Sequence, residues 1–479
     1  MRSAMPGSWS RRDTWCAIGV TGLGALLRVQ YLLRLEVPPY DPWRHLALIR
    51  NLRQGLGFTL FDGQPYIWYQ PPWYYLCAAL PPSWGPQWVA GFFSLACIPL
   101  LYGAVRLGEP ARPRLAAVCG ALLVAACGPF IAFTCHYGPE AFAVALLLVA
   151  LVLSGTTRAE LAGGTLAGLL CGLALAARVN LLFDLLLLGP GLRKPRRLAA
   201  FLVGLAAPLA WTWWRNHAVI ARYPWIFTWD GLATPRSEFG FLSTLVIQLH
   251  PAVQEGLRRL HVQIVPLPEW FRDPSGTRWD SMLFLACGVV ALLASRRLGS
   301  LVAGGAALIY FLAFDATLSA HFFRIYLVVF PPFFLAAGAL AGDWVVTRRP
   351  LRGVAAVVLV GGMLAGGARE LSPPPTIPLE LVTPPAELLA DGAYLVNSGF
   401  YHPESLIYRF PDKRFVGMPL DAHAFDEFRR SFPAYREVLW HDFSVQPELE
   451  TLLRASGRYH EGGAAVNEFG RRYTMWRED

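Results

Sequence analysis

The sequence predicts a mainly α, polytopic helical membrane protein of about eleven transmembrane helices, followed by a small C-terminal α/β domain outside the membrane. Three observations predict it. Apolar stretches of roughly 17 to 25 residues, the length that crosses a bilayer as a helix, recur from Cys16 to Gly366. Basic residues collect in alternate loops between those stretches. Beyond a proline-rich break the composition turns soluble, and short strand and helix patterns alternate.

At 479 residues, 54% hydrophobic and 16% charged, the chain is too apolar for an ordinary soluble protein. A net charge of +9 would point to nucleic acid in a soluble chain. Here the arginines lie in short inter-helix loops, so the positive-inside rule accounts for them, and membrane lipids rather than nucleic acid are the expected surroundings. The cysteines, at 16, 77, 97, 119, 127, 135, 171 and 287, fall in or beside apolar segments without metal-type spacing and read as small buried hydrophobes. The first apolar segment follows Arg2, Arg11 and Arg12 and has no small-residue cleavage site, so it reads as a signal anchor.

The predicted spans run over residues 15–33, 87–105, 115–134, 141–154, 162–177, 181–191, 198–214, 281–295, 300–314, 323–341 and 353–368. The basic loops are the N-terminus, 106–114, 158, 193–197, 296–297 and 348–352. All fall on one side, the cytoplasmic one by the rule. That places two long loops, 34–86 and 215–279, and the C-terminal tail outside. Composition rich in Arg, Ala and Leu suits a bacterial inner membrane, with the C-terminal domain periplasmic. Residues 1–370 are thus read as the membrane domain, 371–386 as a stiff proline-rich linker, and 387–479 as the soluble domain. In the latter, 393–396, 414–417, 437–440 and 472–476 read as strands, and 402–409, 424–432 and 448–455 as helices.

Ionisable residues gather at the predicted outer ends of the spans. Asp41, Arg44 and His45 follow the first, Glu140 opens the fourth, and Arg178 ends the fifth. Arg215 and His217 follow the seventh, and His321 and Arg324 open the tenth. A charge near hydrocarbon is costly and therefore a functional hint. Each residue also has a plainer reading. Asp41 can cap the helix that Pro42 would start, Glu140 can open its helix after Pro139, and Arg178 and Arg324 can anchor at the interface. Asp184 lies deeper and either pairs with Arg178 or sits beyond a misplaced span boundary. The first loop adds an aromatic and proline run from Tyr66 to Tyr75, suited to an interfacial belt or to a platform for sugars or isoprenoid tails.

Together these features resemble the GT-C superfamily of integral membrane glycosyltransferases, near its protein O-mannosyltransferase and aminoarabinose-transferase branch. The resemblance covers residues 13–370. It rests on Tyr40-Asp41, Gly55-x-Gly57, Pro71-Pro72-x-Tyr74-Tyr75, Pro139-Glu140, the small-residue run from Gly168 to Arg178, Trp213-Trp214-Arg215-Asn216, Arg324-x-Tyr326 and Pro331-Pro332. It implies a GT-C fold, a polyprenyl-phosphate-linked sugar as donor, and a lipid, polysaccharide or protein as acceptor on the outer face. By position, Asp41 would be the catalytic base with Glu140 as second acid, and the sugar would be transferred with inversion. Arg178, Arg324 and Arg215 would hold the donor phosphate. Arg44, His45, Tyr74, His136, Tyr137 and His321 would line the acceptor and sugar cleft. The resemblance fixes no cofactor and leaves a divalent metal ion open; if one is used, it would fall to Asp41 and Glu140.

Pro42 stands where many relatives carry a second acid, which bears on metal use. Asp41-Pro42-Trp43-Arg44-His45 also resembles oligosaccharyltransferases, but their Trp-Trp-Asp-Tyr-Gly motif is absent and Trp229-Asp230-Gly231 is a poor substitute. Monosaccharide transfer is therefore expected over en bloc glycan transfer. A transporter or flippase of a lipid-linked sugar is the rival from another class, although no repeated halves or central acidic pair are evident.

Overall fold

A computed structural model describes residues 9–35, 42–59, 72–107, 114–156, 159–222, 277–295, 299–306, 322–347, 350–371, 383–389, 392–396, 404–410, 412–417, 425, 429–430, 433–442 and 447–479. Its helices up to the linker are α1 (Arg11–Arg34), α2 (Pro42–Arg53), α3 (Pro72–Ala79), α4 (Pro86–Leu107), α5 (Arg114–Ala126) and α6 (Gly128–Thr134). They continue with α7 (Glu140–Thr156), α8 (Glu160–Ala177), α9 (Pro195–Arg222), α10 (Thr277–Ser295), α11 (Phe322–Thr347) and α12 (Pro350–Gly366). Pro42, Pro72, Pro86, Pro195 and Pro350 each open a helix, where the ring pre-sets φ and the missing N–H has no partner to lose. The described residues divide into two compact units, one drawn from 1–35, 84–211 and 262–374, the other from 36–83, 212–261 and 375–479.

In the first unit α4 packs along α5 and α7, α7 along α8, and α11 along α5. Phe330 of α11 meets Phe130 at 5.3 Å and Phe284 at 5.6 Å between ring centroids, an aromatic core joining α6, α10 and α11. The α8–α9 contact depends on small residues. A Cβ at Gly164 would lie 2.6 Å from the Arg197 carbonyl and one at Gly172 2.8 Å from that of Leu205, while at Gly168 it would overlap the Phe201 carbonyl. The backbones approach as closely as small-xxx-small helix pairs allow. At the N-terminal end of α1 the buried Asp13 carboxylate accepts from Arg106 Nε (2.9 Å), Arg114 Nε (3.0 Å) and the Tyr102 hydroxyl (3.1 Å), tying α1, α4 and α5 together.

Among the described residues, α1, α4 and α8 are long and apolar enough to cross a membrane, and α5 with α6 makes a fourth if counted as one broken span. The expected eleven are thus matched only in part. Residues 140–156, 181–192, 283–295 and 353–366 form shorter apolar helices, and most of the predicted span 300–314 lies outside the described residues. On α12, Leu351, Val354, Val357 and Val358 are exposed while Leu359, Val360 and Met363 are buried, so this helix is apolar on both faces.

Two spans take forms that periodicity did not predict. The stretch 115–134 is broken into α5 and α6, bent by 60°. Pro129 cannot donate a backbone hydrogen bond into the preceding turn, and the Gly367 carbonyl occupies the place a Cβ on Gly128 would need. The stretch 181–191 is a 3₁₀ helix over Val179–Leu192 rather than an α-helix. At about 2.0 Å rise per residue, such a run extends roughly 28 Å, close to the thickness of a hydrocarbon core.

The second unit contains a five-stranded sheet: β1 (Ala393–Val396), β2 (Arg414–Gly417), β3 (Glu437–His441), β4 (Tyr459–Val466) and β5 (Arg472–Glu478), in the order β2-β1-β3-β5-β4. β1 pairs in parallel with β2 and β3, and β5 runs antiparallel to β3 and β4. Helices α13 (Glu404–Arg409) and α14 (Pro447–Ala455) accompany it. All four residues of β1 are buried, as expected of a strand covered on both faces. The predicted helix 424–432 lies largely outside the described residues.

Candidate functional site

In the first unit the site begins at the bend after α6. Residues Cys135 to Pro139 form an irregular link, and Glu140 opens α7. Arg178 ends α8 in an extended conformation, φ −147° and ψ 98°, which starts the 3₁₀ helix. Arg178 Nη2 donates to Glu140 Oε1; Glu140 is buried and Arg178 half-buried. The other oxygen, Glu140 Oε2, is buried and has no hydrogen-bond partner among the described residues. Gly138 makes room for it, since a Cβ there would overlap that oxygen. Tyr137 is buried, and the His136 ring meets it edge-on at 5.8 Å. Burial pushes the His136 imidazole below its usual range, and Arg178 adds to this against the opposing pull of Glu140. The imidazole is accordingly neutral at neutral pH, able to donate from one nitrogen and accept at the other.

Asp184 is fully buried on the 3₁₀ helix, and neither carboxylate oxygen has a hydrogen-bond partner among the described residues. The pairing with Arg178 that the sequence left open does not form. The chain places Asp184 six residues beyond Arg178 along a helix of three residues per turn, and Arg178 binds Glu140 instead.

In the second unit α2 starts at Pro42, and His45 lies in its first turn. The His45 Nδ1 and Tyr74 hydroxyl share a hydrogen bond of 2.6 Å whose direction depends on the imidazole tautomer. Both side chains are buried. Tyr74, on α3, also meets Phe58 at 5.0 Å, and the Arg215 guanidinium lies 5.0 Å above the Phe58 ring. Arg215 Nη1 donates to Asn216 Oδ1 at 3.0 Å. Thus His45, Tyr74 and Arg215, far apart in sequence, share one cluster around Phe58. The turn that delivers Phe58 needs glycine: Gly55 and Gly57 have φ of 76° and 78°. Asn51 Nδ2 closes the turn by donating to the Thr59 carbonyl at 2.9 Å.

Arg44 is half-buried on α2. Asp41, His321 and the side chain of Arg324 lie outside the described residues, although Arg324 falls within α11. Among the described residues no group of three or more His, Cys, Asp or Glu is gathered as for a metal ion.

Against known proteins, no family model and no curated sequence matches the chain. Solved structures do. Over 90% of this chain and 70% of the other, the fold superposes on the apo oligosaccharyltransferase of Archaeoglobus fulgidus with a TM-score of 0.54 at 13% identity. The same enzyme tethered to an acceptor peptide gives 0.53 over 97% of this chain and 74% of the other, again at 13% identity. The archaeal oligosaccharyltransferase AglB from that organism, in complex with an inhibitory peptide and a dolichol-phosphate, gives 0.50 at 13% identity over 97% and 74%. This chain shares the fold of these oligosaccharyltransferase structures. A mainly helical body and a β-containing C-terminal domain are common to the expectation and the structure.

Sequence reasoning passed over two residues that shape the site. Phe58 carries no chemical signal in a loop of aromatics and was invisible. Arg28 carries one, being a cation within an apolar span. It is buried and donates to the carbonyls of Val124 (2.8 Å) and Ala125 (3.1 Å), the end of α5, and to Ser94 Oγ (2.8 Å). Its charge sits against the negative end of the α5 dipole, at the bend from which α6 and the His136 link depart.

Proposed function

We propose that this protein is an integral membrane glycosyltransferase that moves sugar from a polyprenyl-phosphate-linked donor to an acceptor hydroxyl at the outer face. The observation that carries this reading is the ion pair of buried Glu140 with half-buried Arg178, in which Glu140 Oε2 has no hydrogen-bond partner among the described residues. A guanidinium anchored from behind is suited to a leaving phosphate, and a buried carboxylate oxygen lacking a donor is suited to a hydroxyl of donor or acceptor. Asp41 takes the proton as the acceptor oxygen attacks the anomeric carbon. The bond from that carbon to the phosphate oxygen breaks, polyprenyl phosphate leaves with the electron pair, and configuration inverts. Arg178, Arg324 and Arg215 offset the developing phosphate charge. His45, Tyr74 and Arg44, with His136, Tyr137 and His321, shape the sugar and acceptor surfaces. Where a divalent ion takes part, Asp41 and Glu140 are its proposed ligands.

The fold shared with oligosaccharyltransferases favours a second reading, transfer of a preassembled glycan en bloc. The missing Trp-Trp-Asp-Tyr-Gly motif favours the first. Purified protein incubated with radiolabelled polyprenyl-phosphate monosaccharides and, separately, lipid-linked oligosaccharides separates them by which label reaches the acceptor. Asp41→Asn should lower transfer by at least about a hundred-fold with folding and insertion retained. Loss of lipid-linked sugar export with transfer unaffected would replace both readings with a flippase.

A further inference from the structure

Arg28 is a buried cation of α1 whose acceptors, among the described residues, are carbonyls and one hydroxyl rather than a carboxylate. Nη1 donates to the Gly24 and Ala125 carbonyls, Nη2 to that of Val124, and Nε to Ser94 Oγ at 2.8 Å. Gly24 leaves the space for this fork, since a Cβ there would lie 3.2 Å from Arg28 Nη1 and 3.3 Å from the Ala125 Cβ. A tie between α1 and α5 does not by itself call for a guanidinium, because apolar residues of similar volume hold buried contacts as well or better. What the cation adds is a direction. Thr134 uses its one hydroxyl proton on the Phe130 carbonyl. In the 2.5 Å contact between Ser94 and Thr134 the Ser94 hydroxyl is therefore the donor, and its lone pair receives Arg28 Nε. Arg28, Ser94 and Thr134 are all buried, and donors that point one way along a chain strengthen one another in such surroundings.

The chain ends at the last residue of α6, where the irregular link to Glu140 begins. One turn further along α1, on the same face, Tyr31 and Leu32 pack against Ile131 of α6 and against Cys135, the first residue of that link. A threonine bonded to the carbonyl four residues before it bends a helix, so what fixes this bond fixes the exit of α6. We propose that Arg28 is a positioning residue for the Glu140–Arg178 pair, acting through Ser94 and Thr134 to set the course of residues 135–139. Its effect on sugar transfer rests on the glycosyltransferase reading; its hold on the pair does not.

The test uses the full chain in phosphatidylcholine nanodiscs, with phenylglyoxal modification of arginines mapped by peptide mass. Arg178, half-buried and bonded to Glu140, should react slowly in the parent protein. Thr134→Val should quicken its modification about ten-fold, as one buried hydrogen bond is lost, and Thr134→Ser should restore the slow rate. Arg106, which joins Asp13 at the other end of α1, should keep its rate in both. Combining Ser94→Ala with Thr134→Val should add little to either alone, because both cut one chain. Arg28→Lys should fall between the parent and Arg28→Ala. In transfer assays Thr134→Val should lower kcat about ten- to a hundred-fold with little change in KM for the donor. Unchanged Arg178 reactivity in Thr134→Val overturns the proposal, and so do additive losses in the double variant. Arg178 and Arg106 quickening together would reduce Arg28 to a general clamp on α1 and overturn it as well. If Arg178 alone responds while the parent protein transfers no sugar, the transferase reading fails and the positioning of the pair stands.

Discussion

The Arg50 guanidinium, on the helix that follows Asp41, donates to the carbonyl of Ile407 in the C-terminal domain at 2.6 Å. α2 packs on α13 around this bond. The last part of the chain therefore braces the helix that begins directly after the proposed base. Arg50→Ala should cost about 1 to 2 kcal/mol locally. Hydrogen exchange should quicken in both 42–53 and 404–409; acceleration in only one of them would mean that the bond does not couple the two helices.

Breaking the pair of buried Glu140 and half-buried Arg178 from one side takes this charge partner from the other. Glu140→Gln or Arg178→Met alone should destabilise the protein by about 3 to 5 kcal/mol, and the double variant by clearly less. Thermal unfolding of the three variants in detergent measures the difference. Additive losses would show that the two side chains act independently.

The α8–α9 contact leaves no room for side chains at its centre. Gly168→Leu should prevent folding or insertion, and Gly168→Ala should cost about 1 to 3 kcal/mol, because the obstacle is the Phe201 backbone rather than a movable side chain. Gly19, with open space around its Cβ position, is the control: Gly19→Ala should leave the melting temperature unchanged or raise it.

The Glu478 carboxyl titrates below its ordinary value of 4.5: burial pushes it up, but hydrogen bonds from Arg429 and Arg458 outweigh burial. A depressed acid stabilises the folded state fully above its unfolded value, and that contribution is lost as pH falls through the lower folded value. Protection of β5 amides from exchange should therefore hold above pH 4.5 and decline below it. In Glu478→Gln the decline through that window should shrink.

The strand over 393–396 was legible as a short apolar run, as a buried parallel strand must be, and that over 414–417 from the apolar Phe415-Val416 ahead of Gly417. β4 was not. Tyr459-His460-Glu461-Gly462-Gly463-Ala464 has two glycines and little β-branching, and pairing with β5 at the sheet edge is what makes it a strand, with a register shift between Glu461 and Gly463. The candidate site divides in the same way. Glu140, Arg178 and His45 announced themselves as ionisable groups at apolar boundaries. Phe58 and the bracing role of Arg50 depend on partners remote in sequence, which no local pattern encodes.

By itself, the sequence determined the apolar helical body, the strands of the C-terminal domain that are short apolar runs, and the positions where charges meet apolar segments, because composition and periodicity follow from what each segment must face. Tertiary structure alone decided that Arg178 binds Glu140 rather than Asp184, that the stretch 115–134 breaks at Cys127, and that Arg28 holds the broken end. Those choices turn on which buried donor finds which acceptor in three dimensions, and burial makes the unmatched alternatives too costly to persist.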